Sequence, residues 1–225
     1  MKISDKRSQK IVYMSRCIIN QNLRFPGIAI KPGPISEITE ELLQNNLGIE
    51  LLPCLERLGW GGILRKSFFK YLPMSINCCD KWYFFIIRFF IKKWIYNFKR
   101  LCNKEVKKVI KQMEDYIDSG FEIIGILATD DSPTCGLTKT INLLTAASGI
   151  KALGYNAGDF LNPNLEKMRF IIPNLCENGR GIFMKQLIEQ LDKKKINIKM
   201  IGIDPWNDLS IEAQKITNLI KEKNL

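Results

Sequence analysis

The stretch Phe121–Gly136, FEIIGILATDDSPTCG, decides the fold of this chain. Its opening run, Phe121–Ala128, is almost continuously apolar, has the length of a strand, and lacks the alternation of a strand with one wet face. It therefore reads as a strand buried on both faces. Asp130, Asp131, Ser132 and Pro133 then turn the chain and place Cys135 just beyond the strand end. Immediately upstream, Lys104–Ser119 carries Val106, Val109, Ile110, Met113, Tyr116 and Ile117 on one helical face and stops at Gly120.

The same alternation extends in both directions. Ile11–Met14 before Cys17 and Ile49–Leu52 before Cys54 have the apolar density of doubly buried strands, whereas Ile196–Ile203 before Asp204 is interrupted by Asn197 and Lys199. Helices are expected at Ser36–Asn46, with Ser36 as cap and Glu37, Glu40 and Glu41 in or near the first turn, and at Thr138–Ala147, Gly181–Lys193 and Ile211–Lys223. Strands alternating with helices predict an α/β fold: a parallel, Rossmann-like sheet covered by helices on both faces, with right-handed connections. Ligands of such sheets sit beyond the C-terminal strand ends. The whole of 1–225 reads as one α/β domain, with no internal repeat or low-complexity linker.

Segment 64–102 interrupts this pattern as a basic, aromatic helical elaboration. Its run Trp82–Ile91, WYFFIIRFFI, is too short and too charged to span a bilayer, so no transmembrane segment is expected. Ile87, Ile91, Trp94, Phe98 and Leu101 make an apolar stripe suited to packing on the domain. The opposite side carries Arg88, Lys92 and Lys99 and suits nucleic-acid phosphate or anionic lipid alike.

Of 34 bases and 23 acids, thirteen bases and two acids lie between Arg65 and Lys111, so the remainder balances at 21 each and this segment holds the entire net charge of +11. The chain has no histidine, which excludes imidazole bases, Ser-His-Asp triads and Cys/His metal sites. Seven cysteines, an odd number, in a chain large enough to fold without staples indicate free thiols in a reducing cytoplasm. Met1–Lys10 shows no apolar export segment.

Cys17, Cys54 and Cys135 each follow an expected strand, and a parallel sheet brings such positions to one crevice. Free cysteines commonly serve only as small buried hydrophobes. Here, however, Pro53-Cys54 and Ser132-Pro133-Thr134-Cys135-Gly136 are turn sequences, whose side chains face a site more readily than a core. Three thiolates around an open pocket suit a soft metal centre: iron–sulfur, zinc or Cu(I). Nearby polar candidates are Asn20, Arg24, Glu50, Glu56, Asp131 and Ser132, of which Asp131 and Ser132 also suit a purely turn-forming duty and Glu50 a plain exposed strand position.

At these residues the chain resembles the cluster-dependent 2-thiouracil desulfurase family: Cys17-Ile18-Ile19-Asn20, then Pro53-Cys54-Leu55-Glu56, then Ser132-Pro133-Thr134-Cys135-Gly136. The likeness runs from about Ile11 to Thr140, and Gly181-Ile182-Phe183 with Ile201-Gly202-Ile203-Asp204 looks like a longer branch of the family. Leu55 stands where the family usually has proline, and Asp130-Asp131 where a glycine-containing turn is commoner. The resemblance implies a [4Fe–4S] cluster held by Cys17, Cys54 and Cys135 alone, with the fourth iron open to a thiocarbonyl sulfur. It implies proton handling by Ser132 and a glutamate, Glu50 first and Glu56 second. Asn20, Arg24 and Asp131, polar residues beside the thiols, are the candidates for substrate binding, and a free thiolated base, a nucleotide and a thiolated RNA are all open as substrate.

A second reading makes the chain a nucleic-acid-binding module acting through 65–111, with structural cysteines. A third, a cluster-dependent sensor or electron carrier, is disfavoured because electron transfer usually wants a fully ligated cluster.

Overall fold

The computed structural model describes residues 5–224. Strands run β1 Lys10–Ser15, β2 Gly48–Leu52, β3 Glu122–Thr129, β4 Lys139–Ile141, β5 Cys176–Asn178 and β6 Met200–Ile203. Helices are α1 Arg16–Ile19, α2 Ser36–Gln44, α3 Leu55–Gly59, α4 Lys66–Cys78, α5 Phe84–Asp118, α6 Ala146–Ala152, α7 Ala157–Leu161, α8 Leu165–Leu175, α9 Ile182–Lys193 and α10 Leu209–Asn224, with a 3-10 turn at Gln21–Leu23.

β2, β1, β3 and β6 form one sheet in that order, every pair parallel. Alternate residues divide the core into two layers. Tyr13, Ile126 and Ala128 pack with α5 and α9, whereas Val12, Met14 and Leu127 pack with Ile38 and Leu42 of α2 and Ile216 and Leu219 of α10. The sheet is thus covered on both faces, as its apolar strands predict. Gly125 marks a bulge: Ile11 pairs with Ile123 but Val12 with Gly125, so the face pattern of β3 flips there. A Cβ at Gly125 would stand 2.7 Å from the Leu219 side chain, which requires the missing side chain.

A third cluster lies apart from the sheet. Leu72 and Ile76 of α4, Ile150 of α6, Phe160 of α7 and Met168, Ile171 and Ile172 of α8 pack together with Ile28. The antiparallel pair β4–β5 belongs to this side of the molecule.

Several boundaries differ from the sequence expectations. The helix expected over Thr138–Ala147 is instead β4 followed by turns, and helix starts only at Ala146. Asp130 takes the Thr138 amide at 2.9 Å and its hydroxyl at 2.5 Å, and Thr140 donates to the Ser132 carbonyl at 3.1 Å; these bonds hold the segment extended. Ile35, not Ser36, occupies the N-cap of α2, and the Ser36 hydroxyl donates to Glu37. β6 is confined to Met200–Ile203, consistent with the polar interruptions ahead of it. The amphipathic pattern at Lys104 is the second half of one 35-residue helix beginning at Phe84, since no glycine or proline breaks it. Segment 64–102 is therefore α4 plus the first half of α5, and Cys102 is buried in mid-helix.

Candidate functional site

From the adjacent strands β1 and β3 the sheet is extended in opposite directions, β1 leading to β2 on one side and β3 to β6 on the other, the arrangement that opens a crevice at their C-terminal ends. Each thiol is delivered there by the residues that follow a strand. Cys17 enters α1 directly after β1, and its sulfur lies 3.3 Å from the Thr129 hydroxyl at the end of β3. Cys54 is the N-cap of α3 after β2. Cys135 sits in the loop after β3, with Gly136 N–H donating to the Ser132 carbonyl at 3.0 Å. The α9 terminus clasps that loop, as Ile182 N–H donates to Pro133 O and Phe183 N–H to Thr134 O. A Cβ at Gly136 would run into the Lys139 and Ser132 carbonyls, and one at Gly181 into Thr134, so both glycines are required by close backbone approach.

All three cysteines line one cavity of about 920 Å³ including its mouth. Its polar end adds Arg16, Arg24, Glu56, Arg65, Asp131 and Ser132; its apolar wall is built by Phe25, Trp60, Phe68, Leu72, Phe160 and Ile172, much of it from the third cluster. Burial pushes all three thiols up, Cys54 to about 11. The other four cysteines do not line this cavity, and every cysteine is free.

Two buried polar networks organise the polar end. Arg24 forms a bidentate pair with Asp131 at 2.8 and 3.2 Å, both side chains less than 5% exposed, and the Trp206 indole donates to the same carboxylate at 2.6 Å. Burial opposes the charge on Arg24, but the negative neighbours Asp131, Cys17 and Glu56 together outweigh it and raise its proton affinity. In the second network the Ser132 hydroxyl donates to Glu56 at 2.9 Å and accepts the Thr134 and Cys135 amides at 3.1 and 3.0 Å. Burial raises the Glu56 carboxyl against the pull of Arg65, 3.8 Å away, and of Ser132. Arg65 donates to the carbonyls of Leu23, Gly62 and Ile63 and approaches the Cys54 sulfur at 3.6 Å.

The donor set fits an iron–sulfur cluster. Three thiols share the cavity with guanidiniums, and the buried Nε groups of Arg16, Arg24 and Arg65 have no partner. Such donors suit an anionic thiolate-bound group. Among the described residues, no three Cys, Asp or Glu side chains converge on a point that would hold a single metal ion. Thiolates that each bind a different iron do not need to converge in that way.

Of the residues singled out in the sequence, Cys17, Cys54, Cys135, Arg24, Glu56, Asp131 and Ser132 come together here. Two do not. Glu50 accepts a 2.6 Å hydrogen bond from Tyr116 on the α5 side of the sheet and does not line the cavity. Asn20 is exposed and caps the 3-10 turn, accepting from the Asn22 amide and side chain. The signal that separates the two glutamates is strand parity: Glu50 points with Tyr13 toward α5, whereas Glu56 lies in the first turn of the helix that Cys54 caps. Arg65 and Trp206 were not singled out. Arg65 was counted in the basic segment but is 1% exposed and faces the cavity.

The chain is 27% identical over 138 residues, 61% of its own length and 74% of the relative's, to an uncharacterized protein of Methanocaldococcus jannaschii. No family model and no solved structure matches it.

Proposed function

We propose that this protein is an iron–sulfur-cluster-dependent desulfurase that exchanges the C=S of a small thiolated pyrimidine for C=O, with water consumed, hydrogen sulfide released and no net redox change. The observation that carries this reading is the convergence of Cys17, Cys54 and Cys135, from three separate strand ends, on one cavity beside the Glu56–Ser132 pair. When bound, a [4Fe–4S] cluster held by these three cysteines supplies a Lewis-acidic iron with an open position for a soft sulfur.

The chain's own residues supply the rest. Arg24 and Arg65 offset negative charge next to the thiolates, and Asp131 and Trp206 fix Arg24 in place. Phe25, Trp60 and Phe68 wall the cavity with aromatic surface suited to a planar base and exclude bulk water. Glu56, whose burial raises its proton affinity, takes a proton from attacking water at its carboxylate, and Ser132 holds that carboxylate in position. The largely apolar wall of the cavity suits a free base or nucleoside, with little polar surface to meet the phosphates of an RNA chain.

Anaerobic reconstitution tests the reading. Roughly four irons per chain are expected, with a thiolate-to-iron absorption that is lost in Cys17→Ser, Cys54→Ser and Cys135→Ser and kept in Cys78→Ser. The loaded protein should release sulfide from 2-thiouracil. Unchanged iron content in all three cavity variants removes the site, and an intact cluster with no sulfide release from any thiolated base removes the substrate.

A further inference from the structure

Helix α5 carries two coatings. Its C-terminal half buries Phe98, Cys102, Val106, Val109, Ile110 and Met113 against the sheet, and Trp94 and Leu101 extend that contact. Ahead of Trp94 the helix joins none of the three apolar clusters. There Phe85 and Phe89, four residues apart and continued seven later by Tyr96, form one exposed row, and Ile86 and Phe90 form a second beside it. Trp82, in the turn just before the helix, is 85% exposed, and Phe85, Phe89 and Phe90 are each more than 60% exposed. Of the eighteen exposed large hydrophobics among the described residues, eleven fall between Ile63 and Tyr96.

The charge is laid out to match. Each member of the Phe85–Phe89–Tyr96 row has a base three residues later, Arg88, Lys92 and Lys99, so a basic row runs alongside the aromatic one. All three are exposed, as are Lys93 and Arg100, and none forms an ion pair among the described residues. An apolar strip bordered on one side by Arg88, Lys92 and Lys99 and interrupted by Lys93, four residues after Phe89, is the surface of a helix that lies in a lipid headgroup layer: aromatic rings enter the acyl boundary and the long bases reach the phosphates. The stretch Phe84–Tyr96, the first 13 of the 35 residues of α5, is about 20 Å long at 1.5 Å per residue. No helix among the described residues is long and apolar enough to cross one.

We propose that this stretch of α5, with Trp82, seats the protein on an anionic membrane surface. Charge complementarity selects that occupant. A second copy packed antiparallel across this face would set one basic row beside the other. Duplex nucleic acid would satisfy the bases yet leave the apolar rows against water, and single-stranded bases stacked on the rings would leave Ile86 uncovered. The surface does not involve the cysteine cavity, so it stands or falls independently of the desulfurase reading.

Flotation of the full-length protein with vesicles tests it. Binding is expected to vesicles of phosphatidylcholine mixed with phosphatidylglycerol and not to phosphatidylcholine alone, with a blue shift of tryptophan emission that Trp82→Phe removes. Phe89→Asp with Phe90→Asp should lower vesicle affinity at least about tenfold, and Lys92→Gln with Lys93→Gln about fivefold per base, with unchanged circular dichroism in both. The proposal is overturned by failure to bind the anionic vesicles, or by vesicle binding that survives the two Asp substitutions. It is also overturned by single-stranded RNA binding in place of vesicle binding, or by a dimer that the Asp substitutions dissociate in a protein that ignores vesicles.

Discussion

The Ser132 hydroxyl and the Glu56 carboxylate meet across 2.9 Å, although 76 residues separate them along the chain. Ser132 belongs to the loop after β3 and Glu56 to the helix after β2, so this bond ties together the segments that carry Cys135 and Cys54. The same oxygen of Ser132 accepts the Cys135 amide, which couples the carboxylate to the backbone of the third thiol.

Glu56→Gln keeps a group that can accept from Ser132 but cannot take up a proton as a base. Thermal stability should fall, because Arg65, 1% exposed and 3.8 Å away, loses a counter-charge, but iron content should stay near that of the unaltered protein while sulfide release per iron falls at least about a hundredfold, the lower end of what a general base contributes. Single-turnover sulfide measurement on loaded protein checks this, and a variant that turns over normally moves the proton duty elsewhere.

Asp131→Asn leaves Arg24 charged, less than 5% exposed and without its counterion, and weakens the acceptor of the Trp206 indole. Breaking a buried pair from one side costs about 3–5 kcal/mol, so a large drop in the midpoint of chemical denaturation is expected. A shift of less than about 1 kcal/mol would mean that water reaches this pair.

Gly136→Ala puts a methyl group against two backbone carbonyls in the turn that carries Cys135. The loop must open to admit it, at a stability cost of roughly 1–3 kcal/mol, the range of overpacking substitutions. The iron bound after reconstitution should drop more than stability does, because the turn is local to one ligand. Iron analysis beside a melt separates the two effects.

Tyr116→Phe removes the hydrogen bond to Glu50 and should cost about 1 kcal/mol at neutral pH without altering iron content or sulfide release. That bond, with burial, pushes the Tyr116 phenol up to about 12. A phenol raised in the folded state stabilises fully below its ordinary pKa near 10 and loses that contribution as pH rises through the folded value. The stability difference between the two proteins should therefore hold up to about pH 10 and shrink from there toward pH 12. Denaturation midpoints across that range follow it.

The continuous apolar runs at Ile11, Ile49 and Phe121 had one stable solution, a sheet buried on both faces, and their order along the chain made it parallel. For that reason the three post-strand thiols were legible as neighbours: strand ends in such a sheet share a crevice whatever the loops do. The charge excess and the aromatic run between Arg65 and Lys111 were equally plain, because counting needs no coordinates. Three other matters required the tertiary structure. Which glutamate stands with the thiols depends on strand parity and on where a helix begins, so Glu50 went to Tyr116 and Glu56 to Ser132. Lys139–Ile141 became a strand because Asp130 and Ser132 captured hydrogen-bonding groups of Thr138 and Thr140 and because β5, far along the chain, pairs with it; together these contacts outweigh local propensity. Arg65 and Arg88 are the same residue type within one basic segment. Only packing buried the first beside Cys54 and left the second on an open helix face, and that division separates the charge serving the cavity from the charge that faces outward.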